Sequence, residues 1–164
     1  MIEGEGARDS ESLHIIRRSL MDRYVILFIK TSLISFVVGS ALGLWMVIEP
    51  SDISYFRSAH VHVNLLGFMA MMIYGVGYHV LPRFSGLTLH SRKLMVVHYY
   101  LGTATLAAMA LAWVGMEMTR LVDPLRFMLA LASAGQLCSI FLFFYNIYCS
   151  IKPVAPPQPS QQRA

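Results

Sequence analysis

Four runs of apolar residues, at roughly 24–48, 57–81, 94–115 and 125–149, take up most of the chain and are separated by short polar connections. Each is about as long as the ~20 residues of helix that cross the hydrocarbon core of a bilayer. The pattern predicts an all-α protein: an integral membrane four-helix bundle with its transmembrane domain at 23–150. Residues 1–22 are polar with charges of both signs, and "SLHIIRRSLMDRY" reads as an amphipathic helix lying on the membrane surface. The segment 151–164, rich in proline and glutamine, cannot continue a helix and is expected to be disordered.

Composition narrows this further. With 56% hydrophobic and 13% charged residues, the chain is too apolar for an ordinary soluble domain, and little is left outside the four runs to build one. The first run lacks the basic leader and small-residue cleavage site of a secretory signal, so it is expected to remain in the mature protein. Arg8, Arg17, Arg18, Arg23, Lys30, Arg83, Arg92, Lys93, Lys152 and Arg163 fall on one side of the spans; only Arg57, Arg120 and Arg126 fall on the other. The positive-inside rule then puts both termini in the cytoplasm. The net charge of +4 is explained by anionic lipid headgroups and implies no nucleic-acid partner.

The candidate chemistry is histidine. His60 and His62 open the second span at its external end, His79 lies near its other end, and His98 lies in the third span near the cytoplasmic side. At 1.5 Å per residue His60 and His79 are roughly 28 Å apart along the helix, so they serve opposite membrane faces. His60 and His62 point about 200° apart around the axis, which argues against both gripping one ion and favours two helix faces, each offering an imidazole to a flat cofactor. Asn64, one turn beyond His60, adds a polar group at that end. Gly67, Gly75 and Gly77 permit close approach of either another helix or a porphyrin plane. His14 and His90 read as solvated. Cys138 and Cys149 read as buried thiols, and the absence of C-x-x-C-H excludes covalent heme attachment.

"AHVH", "LLGF" and "YGVGYHVLPRF", in that order and without insertion, resemble the tenth helix of subunit I of the heme-copper oxidases and nitric oxide reductases, and most of all its C-type cytochrome c oxidases. "FSGLTLHSRKLMVVHYYLGTATLAAM" is similar to the family's next connection and eleventh helix. "GMEMTRLVDP" and "LASAGQLCSIFLFFYNIY" are similar to the loop and twelfth helix that follow, whereas "LGLWMVIEPSDISYFRS" matches the ninth helix poorly. The resemblance covers the chain from about residue 40 onward, as the last four helices of a twelve-helix subunit.

What this resemblance implies is non-covalent heme b. His60 would be the proximal ligand of a high-spin heme and His62 an axial ligand of a low-spin one, with Arg120, Arg57 and Arg126 pairing with propionates. It also implies a bacterial inner (plasma) membrane location, and a role in respiratory electron transfer or in binding NO or O₂. The helices that carry the family's copper ligands and the low-spin heme's other histidine have no counterpart here, so the chain is not a complete oxidase by itself. The missing ligand would come from a second copy, another respiratory-complex subunit, or Met46, Met116 or Met128. Two further readings stand beside this one: a heme-free structural or accessory subunit, and a heme ligated by His79 and His98 at the cytoplasmic side; apart from such ligation, His79 and His98 read as interfacial hydrogen-bonders.

Overall fold

The computed structural model describes residues 21–49, 54–119 and 121–151. The expected surface helix and disordered tail, together with His14 and Arg120, lie outside these. The described chain is helical: α1 (Arg23–Ile48), α2 (Ser54–His62), a π-helical segment (Val63–Ala70), α3 (Met71–Phe84), α4 (Arg92–Thr119) and α5 (Val122–Ser150). α2, the π segment and α3 run on as one rod. This gives four helices long and apolar enough to cross a membrane, at Arg23–Ile48, Tyr55–Phe84, Arg92–Thr119 and Val122–Ser150. Helix is the form such sequences must take in lipid, since each backbone N–H and C=O then finds its partner within its own segment.

The spans are longer than the hydropathy runs because polar caps extend them. Asp22 begins α1, its Oδ1 accepting from the Tyr24 amide at 2.8 Å. The second span passes through Pro82, which costs one amide in the last turn, and stops at Gly86, whose φ of +65° a side chain would resist. There the Gly86 amide bonds the Arg83 carbonyl and the Leu87 amide the Pro82 carbonyl, both at 3.0 Å, closing a Schellman turn. Ser91 caps α4 through the Leu94 amide. Buried Asn146 on α5 grips that cap from both sides, accepting from the Ser91 amide at 3.0 Å and donating to the Ser91 carbonyl at 2.8 Å.

The helices meet along seams of small residues. Between α1 and the second span, small faces large in antiparallel register: Gly43 faces His60, Gly39 faces Asn64, Gly67 faces Ser35 and Gly75 faces Phe28. Ser32 Oγ donates across this seam to the Phe68 carbonyl at 2.8 Å. The most extensive pairing is α4 with α5. There Gly102 receives Ser139, Gly135 receives Thr105, and Thr105 Oγ1 donates to Gln136 Oε1 at 2.7 Å. Gly67, Gly75 and Gly77 are thus filled by neighbouring helices, Gly77 by Phe143. Helix packing accounts for all three.

The centre holds Phe28, Met71, Tyr74, Tyr78 and Met95, while large apolar residues such as Ile34, Val37, Leu44, Leu131 and Phe141 point outward. Only 17–39% of each span's most apolar stretch is buried, as expected where lipid is the outer solvent. Cys138 departs from the expectation of a buried thiol: it is exposed on the outer face of α5, and Cys149 is half-buried.

A Cβ on Gly67 would sit 2.6 Å from Ser35 Oγ and 2.7 Å from Ser35 Cβ, so the α1 backbone must shift to admit it. At Gly115 the nearest atom is the tip of Leu125, at 3.1 Å, which can rotate away. Gly67→Val is therefore expected to cost ~1–3 kcal/mol by overpacking. Gly115→Val should cost clearly less. Thermal unfolding of both purified variants in one detergent checks this, and equal losses would contradict the seam.

Candidate functional site

His60 lies at the end of the bundle where α1 finishes and α2 begins. Its imidazole turns toward α1, where Nδ1 is 2.8 Å from the Gly39 carbonyl. A carbonyl only accepts, so Nδ1 carries the proton and Nε2 keeps its lone pair in the neutral ring. Gly43 makes room for that ring: a Cβ there would lie 3.0 Å from His60 Cε1, and every atom near it belongs to His60. Asn64 steadies the same turn, donating from Nδ2 to the His60 carbonyl at 2.9 Å.

His62 faces the other way. Its Nδ1 donates to the Ser58 carbonyl one turn back, at 2.8 Å, so in the neutral ring Nε2 again keeps the lone pair. Its ring lies 6.0 Å from that of Trp113 on α4, and Trp113 stacks in turn on Tyr55 at 5.9 Å. Glu117, one turn beyond Trp113, accepts from the Tyr55 amide at 3.0 Å and so ties the start of α2 to α4. The pair thus addresses two different helices, as the angular spacing predicts. Tying one ring nitrogen to a carbonyl is how proteins orient an imidazole that ligates a metal through the other.

Trp113, Tyr55 and Glu117 were not anticipated from sequence. Tyr55 and His62 are seven residues apart and Trp113 and Glu117 four apart, so each pair shares a helix face. That spacing was the available signal.

Arg57 and Arg126 are both exposed near this end. Met116 is buried, while Met46 and Met128 are half-buried. Among the described residues no three or more His, Cys, Asp or Glu side chains gather as a metal-ion site.

His79 and His98 are not a facing pair. His98 is fully buried, with Nδ1 at 2.9 Å from the Tyr78 hydroxyl. The rings of Tyr74, Phe28, Tyr78 and Phe143 surround it at 4.5 to 5.8 Å. Its Nε2 and the Ser139 hydroxyl, both buried, have no hydrogen-bond partner among the described residues. These rings enclose His98, and His79 is not among the groups around it. The expectation of an interfacial hydrogen-bonder at position 98 is corrected: Gly102, Met71 and the aromatic cluster draw it into the core. His79 is half-buried beside a cavity at this end, and its carbonyl accepts from Arg83 at 3.0 Å.

No protein-family model, curated protein or solved structure matches the chain.

The Tyr78–His98 bond yields a stability test. Tyr78→Phe strips His98 of its one partner and should cost ~1–3 kcal/mol, the desolvation of a buried polar group left unpaired. His98→Leu added to that variant removes the stranded polar ring, so the double variant should be at least as stable as Tyr78→Phe. Denaturation midpoints in detergent decide it, and an unperturbed Tyr78→Phe would show that the bond carries no stability.

Proposed function

We propose that the chain is a multi-pass membrane protein that holds heme b non-covalently through Nε2 of His60 and of His62. In this reading it serves respiratory electron transfer or the binding of NO or O₂ in a bacterial plasma membrane, with both termini cytoplasmic. The observation that carries this is the common state of the two imidazoles, each with Nδ1 donating to a backbone carbonyl and Nε2 left with its lone pair. The resemblance of "AHVHVNLLGF" to the oxidase tenth helix supports the same assignment.

As donors, the residues fit heme iron. The interior of the bundle does not offer a slot, because its glycine surfaces are filled by neighbouring helices. His60 and His62 would hold heme from two different faces of the second span, with the missing ligand supplied by a second copy of the chain or another subunit. Bound heme supplies an iron that exchanges one electron, or takes a small gas at an open axial position. The chain's own part is to hold the two rings in fixed tautomers, to cover His62 with Trp113 and Tyr55, and to offer Arg57, Arg120 and Arg126 to propionates.

A heme-free accessory subunit is the second reading. What favours it is the same filled interior, together with long outward-facing apolar surfaces available to other subunits. Colour separates the two.

Protein purified in mild detergent from heme-replete cells should show a Soret band and release heme b into acidified organic solvent. His62→Ala should shift the spectrum to high spin or lose more heme than His79→Ala or His98→Ala. A colourless preparation would sink the heme reading, and bleaching by the His79 or His98 change alone would move the ligands to the other end. For orientation, reporter fusions at the C-terminus and after α3 should report the cytoplasm, and a fusion after α1 the opposite side. Periplasmic activity at the C-terminus would reverse it.

A further inference from the structure

Where α4 packs on α5, three side chains each keep a buried polar atom without a partner among the described residues: His98 Nε2, Ser139 Oγ and Gln136 Nε2. His98 and Ser139 are 0% exposed and Gln136 3%. Lipid offers such atoms no solvent, and a buried polar group left unpaired is costly enough to need an explanation. Two of the three meet at one glycine. A Cβ on Gly102 would stand 2.7 Å from Ser139 Oγ and 3.8 Å from His98 Cδ2, the ring carbon bonded to Nε2. The serine and the imidazole thus flank Gly102 without bonding each other. The third neighbour there is the methyl end of Met71, at 3.3 Å. Gln136, one turn from Ser139 on α5, keeps the same face polar. The rings packed round His98, those of Phe28, Tyr74, Tyr78 and Phe143, bring no charge to it.

We propose that one internal water molecule is bound beside Gly102, bridging His98 Nε2 and Ser139 Oγ. The chemistry of the site selects it. A metal ion or an anion would be buried there without a counter-charge. A larger polar molecule would collide, since the Ser139 hydroxyl and the Met71 methyl already close on Gly102. Nε2 carries either a proton or a lone pair, according to whether the Tyr78 hydroxyl or Nδ1 donates in the bond of 2.9 Å between them, and water answers both cases. Room comes from movable ends: the serine hydroxyl turns about one bond, and the methionine thioether is unbranched. The bridge would complete a hydrogen-bonded link through three helices, from Tyr78 on α3 through His98 on α4 to Ser139 on α5. The inference does not depend on heme at His60 and His62.

The test uses the full chain in a neutral detergent, with isotopically labelled histidine, and reads by NMR the magnetisation that passes from water protons to the ring nitrogens. Transfer should reach His98 Nε2, whose resonance is assigned by its disappearance in His98→Leu. It should persist in Tyr78→Phe, which acts on Nδ1, and fall severalfold in Ser139→Ala. The same Ser139→Ala variant should melt roughly 2–4 °C or more below the wild type, because the water and Nε2 lose a partner. A Ser139→Ala protein as stable as the wild type, or more so, would overturn the proposal, since deleting a hydroxyl that has no partner relieves the bundle. Absence of transfer to wild-type Nε2 would overturn it as well; joined to a loss of stability in Ser139→Ala, that result would assign a direct serine–imidazole bond. Transfer lost in Tyr78→Phe would overturn the assignment to Nε2. Should Ser139→Ala fail to fold, the wild-type transfer and its persistence in Tyr78→Phe still decide.

Discussion

The close approach of α1 to the second span is the contact on which the other features depend. In lipid, helices gain little from burying apolar surface against one another, so association rests on small residues that let backbones approach and on hydrogen bonds between helices. Gly39, Gly67 and Gly75 supply the first, and the Ser32 hydroxyl on the Phe68 carbonyl the second. The π segment belongs to the same arrangement. Ala59, Val63, Gly67 and Met71 are all buried at four-residue spacing, a series that a regular α-helix carries round by about 40° at each step. Wider turns over Val63–Ala70 hold that series against its neighbours. His60 follows Ala59 at the head of this stripe and is thereby brought against α1.

Much of this was legible in sequence because the signals were long or angular. Four spans follow from hydropathy, and the divergence of His60 and His62 follows from two residues at 100° each. The longer bounds of the spans were less legible, since Asp22, Ser91 and the Gly86 turn are single caps set beside the apolar runs. His98 was misplaced because distance along the helix says nothing about which face it shares. The side on which Phe28, Tyr74 and Phe143 converge is decided by three other helices. Asn146 and Glu117 escaped for a similar reason, as both act on backbone groups of helices far away in sequence. Gly39 and Gly43 form a G-x-x-x-G pair whose partners, Asn64 and His60, are also four apart. Reading the two spacings together would have found the seam.

The two ends of the bundle are held by different chemistry. At the end where α1 starts, caps and side chains close on each other: Asn146 on Ser91, Ser150 on the His90 amide, Asp22 on both the α1 terminus and Arg92. Asn146 and Ser150 make neutral contacts to backbone groups, Asp22 adds a charged one, and together they fix three helix termini where the chain meets headgroups. At the other end the ties are imidazoles and a carboxylate, and they leave acceptor capacity over. Each ring satisfies one nitrogen on a carbonyl, and in the neutral ring the second nitrogen keeps its lone pair.

Gly43 sharpens that distinction. Gly67 and Gly75 accept serine, aliphatic and backbone atoms of a facing helix, which is the ordinary use of a small residue in a membrane seam. Around Gly43 the near atoms are Cε1, Nδ1 and Nε2 of His60 and nothing else. Glycine lowers helix stability by about 1 kcal/mol relative to alanine, so its presence there needs a compensating reason. A Cβ at 3.0 Å from Cε1 would press the imidazole away from α1 and lengthen its bond to the Gly39 carbonyl, two helix positions that lie one turn apart. The glycine at 43 therefore serves the orientation of a single ring, and joins the seating of His60 to the packing of α1.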